Sequence, residues 1–175
     1  FKYAWEDTEK PYLQSIEDPY CNTQDKELLA QVLNSYDQET TDFYEWEVVI
    51  EQEKLGQLLL ERLGYNFGNA IERGPGGHIS KLEIVGTEHT MMIGKELEIR
   101  RTLSESHLLS SAFEAYPITK EGENAPSEFL LKGRGWGHGV GMCQIGAAVM
   151  GQQGHPYQEI LTFYYRGADI IQVSK

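Results

Sequence analysis

The stretch Phe129-Leu130-Leu131-Lys132-Gly133-Arg134-Gly135-Trp136-Gly137-His138-Gly139-Val140-Gly141-Met142-Cys143-Gln144 carries the chain from strand to helix. Phe129 to Leu131 begin a strand, and Gln144 to Gln152 is an Ala-containing helical segment that ends near Gly154. Between them glycine occupies positions 133, 135, 137, 139 and 141. This alternation is not a dinucleotide fingerprint, because the third glycine of that motif would have to stand where Val140 or Met142 stands. It has no Gly-Lys-Ser/Thr ending for a phosphate loop and no Gly-x-Ser-x-Gly elbow.

An extended chain would point all these glycines to one face, bare enough for another backbone or a sugar ring to approach. Arg134, Trp136, His138, Val140 and Met142 would occupy the other face. An indole beside an imidazole suits a carbohydrate groove, where the aromatic stacks on the apolar face of a sugar and polar neighbours bond its hydroxyls. A tight glycine turn with Trp136 in the core is the simpler alternative. His138, Cys143 and His155 could be read as metal ligands, but their spacing fits no zinc pattern and no carboxylate completes the set. Cys143 at the start of a helix, with His138 as base, is a conceivable thiol nucleophile; a small buried cysteine is the plainer reading.

Outward from this tract, helices and short strands mix without a βαβ repeat. The expected fold class is therefore α+β, with mostly antiparallel strands in a single compact domain. Residues 1–25, with Tyr3, Trp5, Pro11, Tyr12, Pro19 and Tyr20, read as irregular chain packed on something else. Asp25 caps a helix over Lys26 to Ser35, and Asp37 to Asp42 is a loop. Phe43 to Ile50 alternates as a strand, and Glu51 to Leu63 carries the Leu55, Leu58, Leu59, Leu63 stripe of a helix closed by Gly64. Ile79 to Val85 and Thr90 to Ile93 are expected to pair around Gly86 to His89. Lys95 to Leu103 reads as a helix, Ser110 to Tyr116 as a strand and Pro117 to Ser127 as a loop. Tyr157 to Tyr165 reads as a helix and Asp169 to Val173 as a closing strand.

The 175 residues suffice for a core without staples, and 40% apolar with 24% charged residues describes a globular chain. No apolar run approaches the roughly 20 residues of a membrane span. A net charge of −12 argues against nucleic acid and against an anionic membrane as partner. Cys21 and Cys143 are too few for a disulfide framework, and two separate cysteines are expected. The chain begins at Phe1 with no signal peptide, so an N-terminal part is expected to be missing.

Gly-Trp-Gly-His-Gly-Val-Gly-Met-Cys-Gln at 135–144 is followed by Gly146-Ala147, Gly154, Tyr157, Ile160-Leu161 and Tyr164-Tyr165-Arg166-Gly167. This pattern resembles the signature of the stage II sporulation protein D family, also called the SpoIID/LytB domain. Upstream, Pro11-Tyr12-Leu13-Gln14-Ser15-Ile16 with Asp18 resembles that family's PYLxSV segment, and Ser80 to Val85, Gly94, Arg100 to Leu103 and Leu109 to Phe113 resemble its middle. The resemblance implies an extracytoplasmic cell-wall protein that acts on peptidoglycan glycan strands, alone or with other cell-wall hydrolases. Members are lytic transglycosylases that cleave between N-acetylmuramic acid and N-acetylglucosamine and leave a 1,6-anhydro sugar; others are amidase enhancers. In the transglycosylase reaction one Glu serves as acid and then as base, because the nucleophile is the substrate's own C6 hydroxyl. That Glu lies upstream of the PYLxSV segment in the family, as does a Cys/His zinc segment, so no catalytic acid, metal ligand or cofactor is expected within residues 1–175. Glu51, Glu53, Glu61 and Glu159 read as solvated helix positions. Carried over by position, Trp136, His138 and Gln144 are expected to contact glycan, with Arg101 and Tyr12 added from the upstream matches. Tyr164 and Tyr165 read as core. Cys143 stands where many members have Ser, which removes the thiol as nucleophile.

Overall fold

The structure, a computed structural model, describes residues 16–33, 44–63, 71–74, 76–85 and 90–173. Tyr12, the rest of the PYLxSV segment before Ile16, the loop at 37–42, Gly64 and the 86–89 turn lie outside the described residues. The described residues form five α-helices and six strands, all of the pairings between strands being antiparallel. The α+β expectation holds. The chain divides into two compact units, residues 45–138 and residues 1–44 with 139–175.

The 45–138 unit holds both sheets. In the first, β6 (Glu128–Arg134) is central, between β1 (Glu45–Glu51) and β5 (Phe113–Ile118). In the second, β3 (Ile79–Val85) lies between β2 (Ile71–Arg73) and β4 (Thr90–Gly94). Alternation in β1 buries Trp46 and Ile50 and exposes Glu45, Glu47 and Glu51. Leu55, Leu58 and Leu59 of α2 (Gln52–Leu63) are buried as their spacing predicts. Ile99 of α3 (Glu96–Thr102) is fully enclosed, and the same helix buries an ion pair, Arg100 Nη1 to Glu96 Oε1 at 2.6 Å. Arg100 Nε also donates to the Leu108 carbonyl at 2.6 Å, so the buried guanidinium has a partner on two sides.

The centre of the first sheet is a steric fit. Gly133 on β6 faces Trp46 on one neighbour strand and Phe113 on the other. A Cβ at position 133 would sit 2.0 Å from Trp46 Cζ2. The missing side chain lets the indole lie over β6, where its ring centroid is 6.1 Å from that of Phe113.

The second unit is helical. Asp25 caps α1 (Lys26–Val32) by accepting from the N–H groups of Glu27 and Leu28. Helix α4 (Gln144–Gln152) keeps its expected bounds and α5 is Tyr157–Tyr164. Helix α4 packs against α1, α5 and a short 3-10 helix, Pro19–Cys21. Three expectations are corrected here. Asp169 to Val173 is exposed and forms no strand, because no described strand lies beside it in this unit to pair its backbone. The 113–118 strand starts later than Ser110, since Ser110 bridges to Gly137 in parallel and Ser111–Ala112 turn the chain before the ladder begins. Finally, Cys21 and Cys143 are not separate. Their sulfurs are bonded at 2.04 Å, because the 3-10 helix brings Cys21 against the N-terminus of α4.

Gly133→Ala is expected to destabilise the fold by about 3 kcal/mol through overpacking against Trp46. Gly151→Ala, inside α4 with nothing within 4 Å of the added carbon, is expected to be neutral or slightly stabilising. Urea denaturation of both variants checks the contrast, and equal midpoints would refute the steric reading.

Candidate functional site

The glycine tract does not continue as an extended ribbon. Gly135, Gly137, Gly139 and Gly141 all take positive φ, from 69° to 101°. Alternation therefore supplies a left-handed residue at every second position, which side-chain-bearing residues rarely adopt. The expected bare face is replaced by a series of kinks. The expected outward display survives in the first unit, where Arg134, Trp136 and His138 are each exposed while Gly135 and Gly137 are half-buried.

The backbone under that display is tied at several points. Arg134 N–H donates to Ala112 O at 2.9 Å, and Gly137 N–H donates to Leu109 O at 2.9 Å. Ser110, fully buried, donates its hydroxyl to Arg134 O at 2.7 Å and accepts from Ala112 N–H. Trp46 Nε1–H donates to Gly135 O at 3.3 Å. The indole that fills the gap over Gly133 thus also pins the start of the tract. Gly77, at φ 82°, lies beneath Arg134, whose guanidinium would stand 2.7 Å from an added Cβ.

His78 lies against the same segment and was not signalled by the sequence, where it is a lone histidine after Gly76-Gly77. Burial pushes its pKa down to about 4, against the opposing pull of the Gly137 and Gly76 backbones; His138 and Arg134 add repulsion of a proton. Its Nδ1 is buried without a hydrogen-bond partner. A neutral imidazole is thus held beneath the exposed His138 segment at ordinary pH. Arg101, on α3 of this unit, is exposed.

In the other unit, Gln144 is the exposed first residue of α4. Cys143 is the residue before it, with its sulfur 3.4 Å from the Gly146 N–H. The disulfide to Cys21 removes the thiol-nucleophile reading. His155 does not join Cys143 in a ligand set; its Nδ1 lies 3.0 Å from Glu159 Oε2 one turn along. Glu159 is exposed, as expected of a helix surface. The half-buried polar centre of this unit is Asp18, which accepts from Tyr20 N–H at 2.9 Å and from the Tyr164 hydroxyl at 2.7 Å. Burial, and then the Asp18 carboxylate, raise the Tyr164 phenol well above its ordinary range, so it remains a donor. Gly146 is required here, since a Cβ would meet Tyr164 Oη at 2.2 Å and Asp18 Oδ2 at 2.6 Å. Tyr164 is core, as expected.

With the geometry described, comparison with known proteins adds the family. A family model described as "Domain of unknown function (DUF8618)" matches residues 1–141. Stage II sporulation protein D of Bacillus amyloliquefaciens is 28% identical over 160 residues, 91% of this chain and 38% of that protein. The amidase enhancer of Bacillus subtilis is 43% identical over 44 residues, 25% of this chain and 6% of that protein. An uncharacterized protein of Brachyspira hyodysenteriae is 52% identical over 46 residues, 26% of this chain and 12% of its own length. The chain spans well under half the length of these relatives, and the names of two of them, stage II sporulation protein D and amidase enhancer, support a family like that of stage II sporulation protein D.

The depressed pKa of His78 has a stability consequence. The folded state refuses a proton that the unfolded chain takes up near the ordinary histidine value of 6.5. The stabilisation is complete above that value and is lost as pH falls towards about 4. Its size is on the order of 1–3 kcal/mol. Denaturation midpoints across pH 4–7 should fall less steeply in His78→Gln than in the parent protein. Parallel profiles would show that His78 does not titrate as described.

Proposed function

This chain belongs to the DUF8618 family, and from that premise, with its likeness to stage II sporulation protein D, we propose that it binds peptidoglycan glycan strands outside the cytoplasm. The observation that carries the reading is the display of Arg134, Trp136 and His138 on a backbone tied down by Ser110, Leu109, Ala112 and Trp46. A sugar ring is bound best by an aromatic that need not be ordered on contact, because ordering a side chain subtracts from affinity. Trp136 offers the stacking surface, His138 a ring nitrogen for a hydroxyl or N-acetyl group, and Arg134 a guanidinium donor. Gln144 and Arg101, exposed on their own helices, are further glycan contacts in this proposal, and Tyr12 stays in it on the resemblance alone.

The reaction proposed for the intact protein is lytic transglycosylation at the N-acetylmuramic acid–N-acetylglucosamine bond. This chain contributes glycan binding, and a Glu outside residues 1–175 protonates the leaving oxygen. The charge of −12 argues against a polyphosphate partner and leaves the choice among other substrates to the display itself. The disulfide supports an extracytoplasmic setting, where such bonds persist. Among the described residues no helix is long and apolar enough to cross a membrane.

A second reading, a binding module that enhances an amidase without cutting glycan, is favoured by the 43% match to the amidase enhancer across 44 residues. The two separate in one experiment. The full-length protein is incubated with glycan strands stripped of peptide, and products are read by mass spectrometry. A 1,6-anhydromuramyl product supports the transglycosylase; binding without that product sinks it in favour of the module. In the same assay Trp136→Ala is expected to weaken glycan binding about tenfold, the loss of one stacking contact. Unchanged binding in Trp136→Ala and His138→Ala would rule out the display as the glycan contact.

A further inference from the structure

We propose that Asp18, Cys21 and Cys143 form a redox-gated site for a thiophilic divalent cation of the zinc class, closed while the two sulfurs are bonded and opened by reduction. Among the described residues these three are the group of His, Cys, Asp or Glu side chains able to hold a metal, with their donor atoms all within 4.8 Å of one another. All three are half-buried, which leaves a fourth position for water.

Three features fit them to a cation beyond proximity. The carboxylate is oriented in advance: Tyr20 N–H bonds Oδ1 and the Tyr164 hydroxyl bonds Oδ2. Such outer partners fix a ligand and raise metal affinity. Cys143 stands at the N-terminus of the nine-residue α4, where the Gly146 N–H points at its sulfur, a position that suits an anionic ligand atom. Asp18 Oδ2 lies 3.0 Å from Cys21 Sγ, so reduction would set two thiols beside a carboxylate, three donor groups whose thiol protons a cation can displace. The Cα atoms of the two cysteines are 6.8 Å apart, at the wide end of what a disulfide spans. Side-chain rotation can therefore move the sulfurs to the separation of roughly 3.7 Å that tetrahedral ligation requires.

The chemistry balances with a dithiol as reductant. It gives two electrons and two protons to the Cys21–Cys143 bond and closes to its own cyclic disulfide. On binding, the cation displaces the two thiol protons to solvent and is held by two thiolates and the Asp18 carboxylate. None of these residues belongs to the Arg134–Trp136–His138 display, so the site stands or falls separately from glycan binding.

The test uses the full chain, reduced anaerobically by a dithiol, freed of it, and titrated with Cd2+ while thiolate-to-cadmium absorption is followed. Zn2+ is measured in parallel by competition with a chromophoric chelator. One ion per reduced chain is expected, and none for the oxidised chain. Cys21→Ser and Cys143→Ser should each abolish the absorption of a two-thiolate complex. Asp18→Asn, which keeps an acceptor for Tyr164, should weaken binding about tenfold or more. Circular dichroism is recorded with and without the ion, so that a fold lost on reduction and regained with Cd2+ counts for the site. The proposal is overturned if the reduced chain takes up no ion, if the ion fails to restore a fold lost on reduction, or if Asp18→Asn binds as tightly as the parent.

Discussion

The indole of Trp46 lying over Gly133 is the contact on which the 45–138 unit depends. It requires a central strand residue without a side chain, and it brings β1 and β5 into one apolar layer through the ring of Phe113. Its polar edge also holds the Gly135 carbonyl. One side chain therefore couples the packing of the sheet to the path of the chain as it leaves β6. The exposed residues that follow inherit their positions from a buried contact.

The second unit is organised around a carboxylate rather than an aromatic. Asp18 joins the 3-10 helix to α5 through Tyr164, and Gly146 keeps α4 thin where it passes both. A charge-assisted bond of this kind is stronger than a neutral one in the same place, and the burial that raises the phenol keeps its proton on. The two units thus solve the same problem, fixing a short irregular segment, with different chemistry. Both solutions need a glycine at the point of closest approach.

Local signals carried much of the fold. Asp25 before a Leu-Leu pair is a helix start whether or not anything packs on it, and α4 was bounded by glycine-rich chain on one side and Gly154 on the other. The Leu stripe of α2 and the pairing of β3 with β4 were legible for the same reason. What was not legible was non-local or degenerate. Alternating glycine is compatible with a flat ribbon or with alternate left-handed residues, and only tertiary ties such as Gly137 N–H to Leu109 O select the second. The Cys21–Cys143 pairing depends on a meeting across 122 residues that spacing does not encode. Of the candidate contacts, Trp136 and His138 were readable because a motif isolates them. His78 and Ser110 were not, since a lone histidine and a serine pair carry no pattern until the fold brings them beneath the tract.

The bond between Cys21 and Cys143 also changes the connectivity of the molecule as a mechanical object. It closes a covalent ring that contains every residue of the 45–138 unit, so the shortest path of bonds from one end of the chain to the other bypasses both sheets. Tension applied from outside the ring loads the helices that follow it, α4 and α5, and not the strands within. A single peptide-bond cut inside the ring leaves one covalent molecule rather than two.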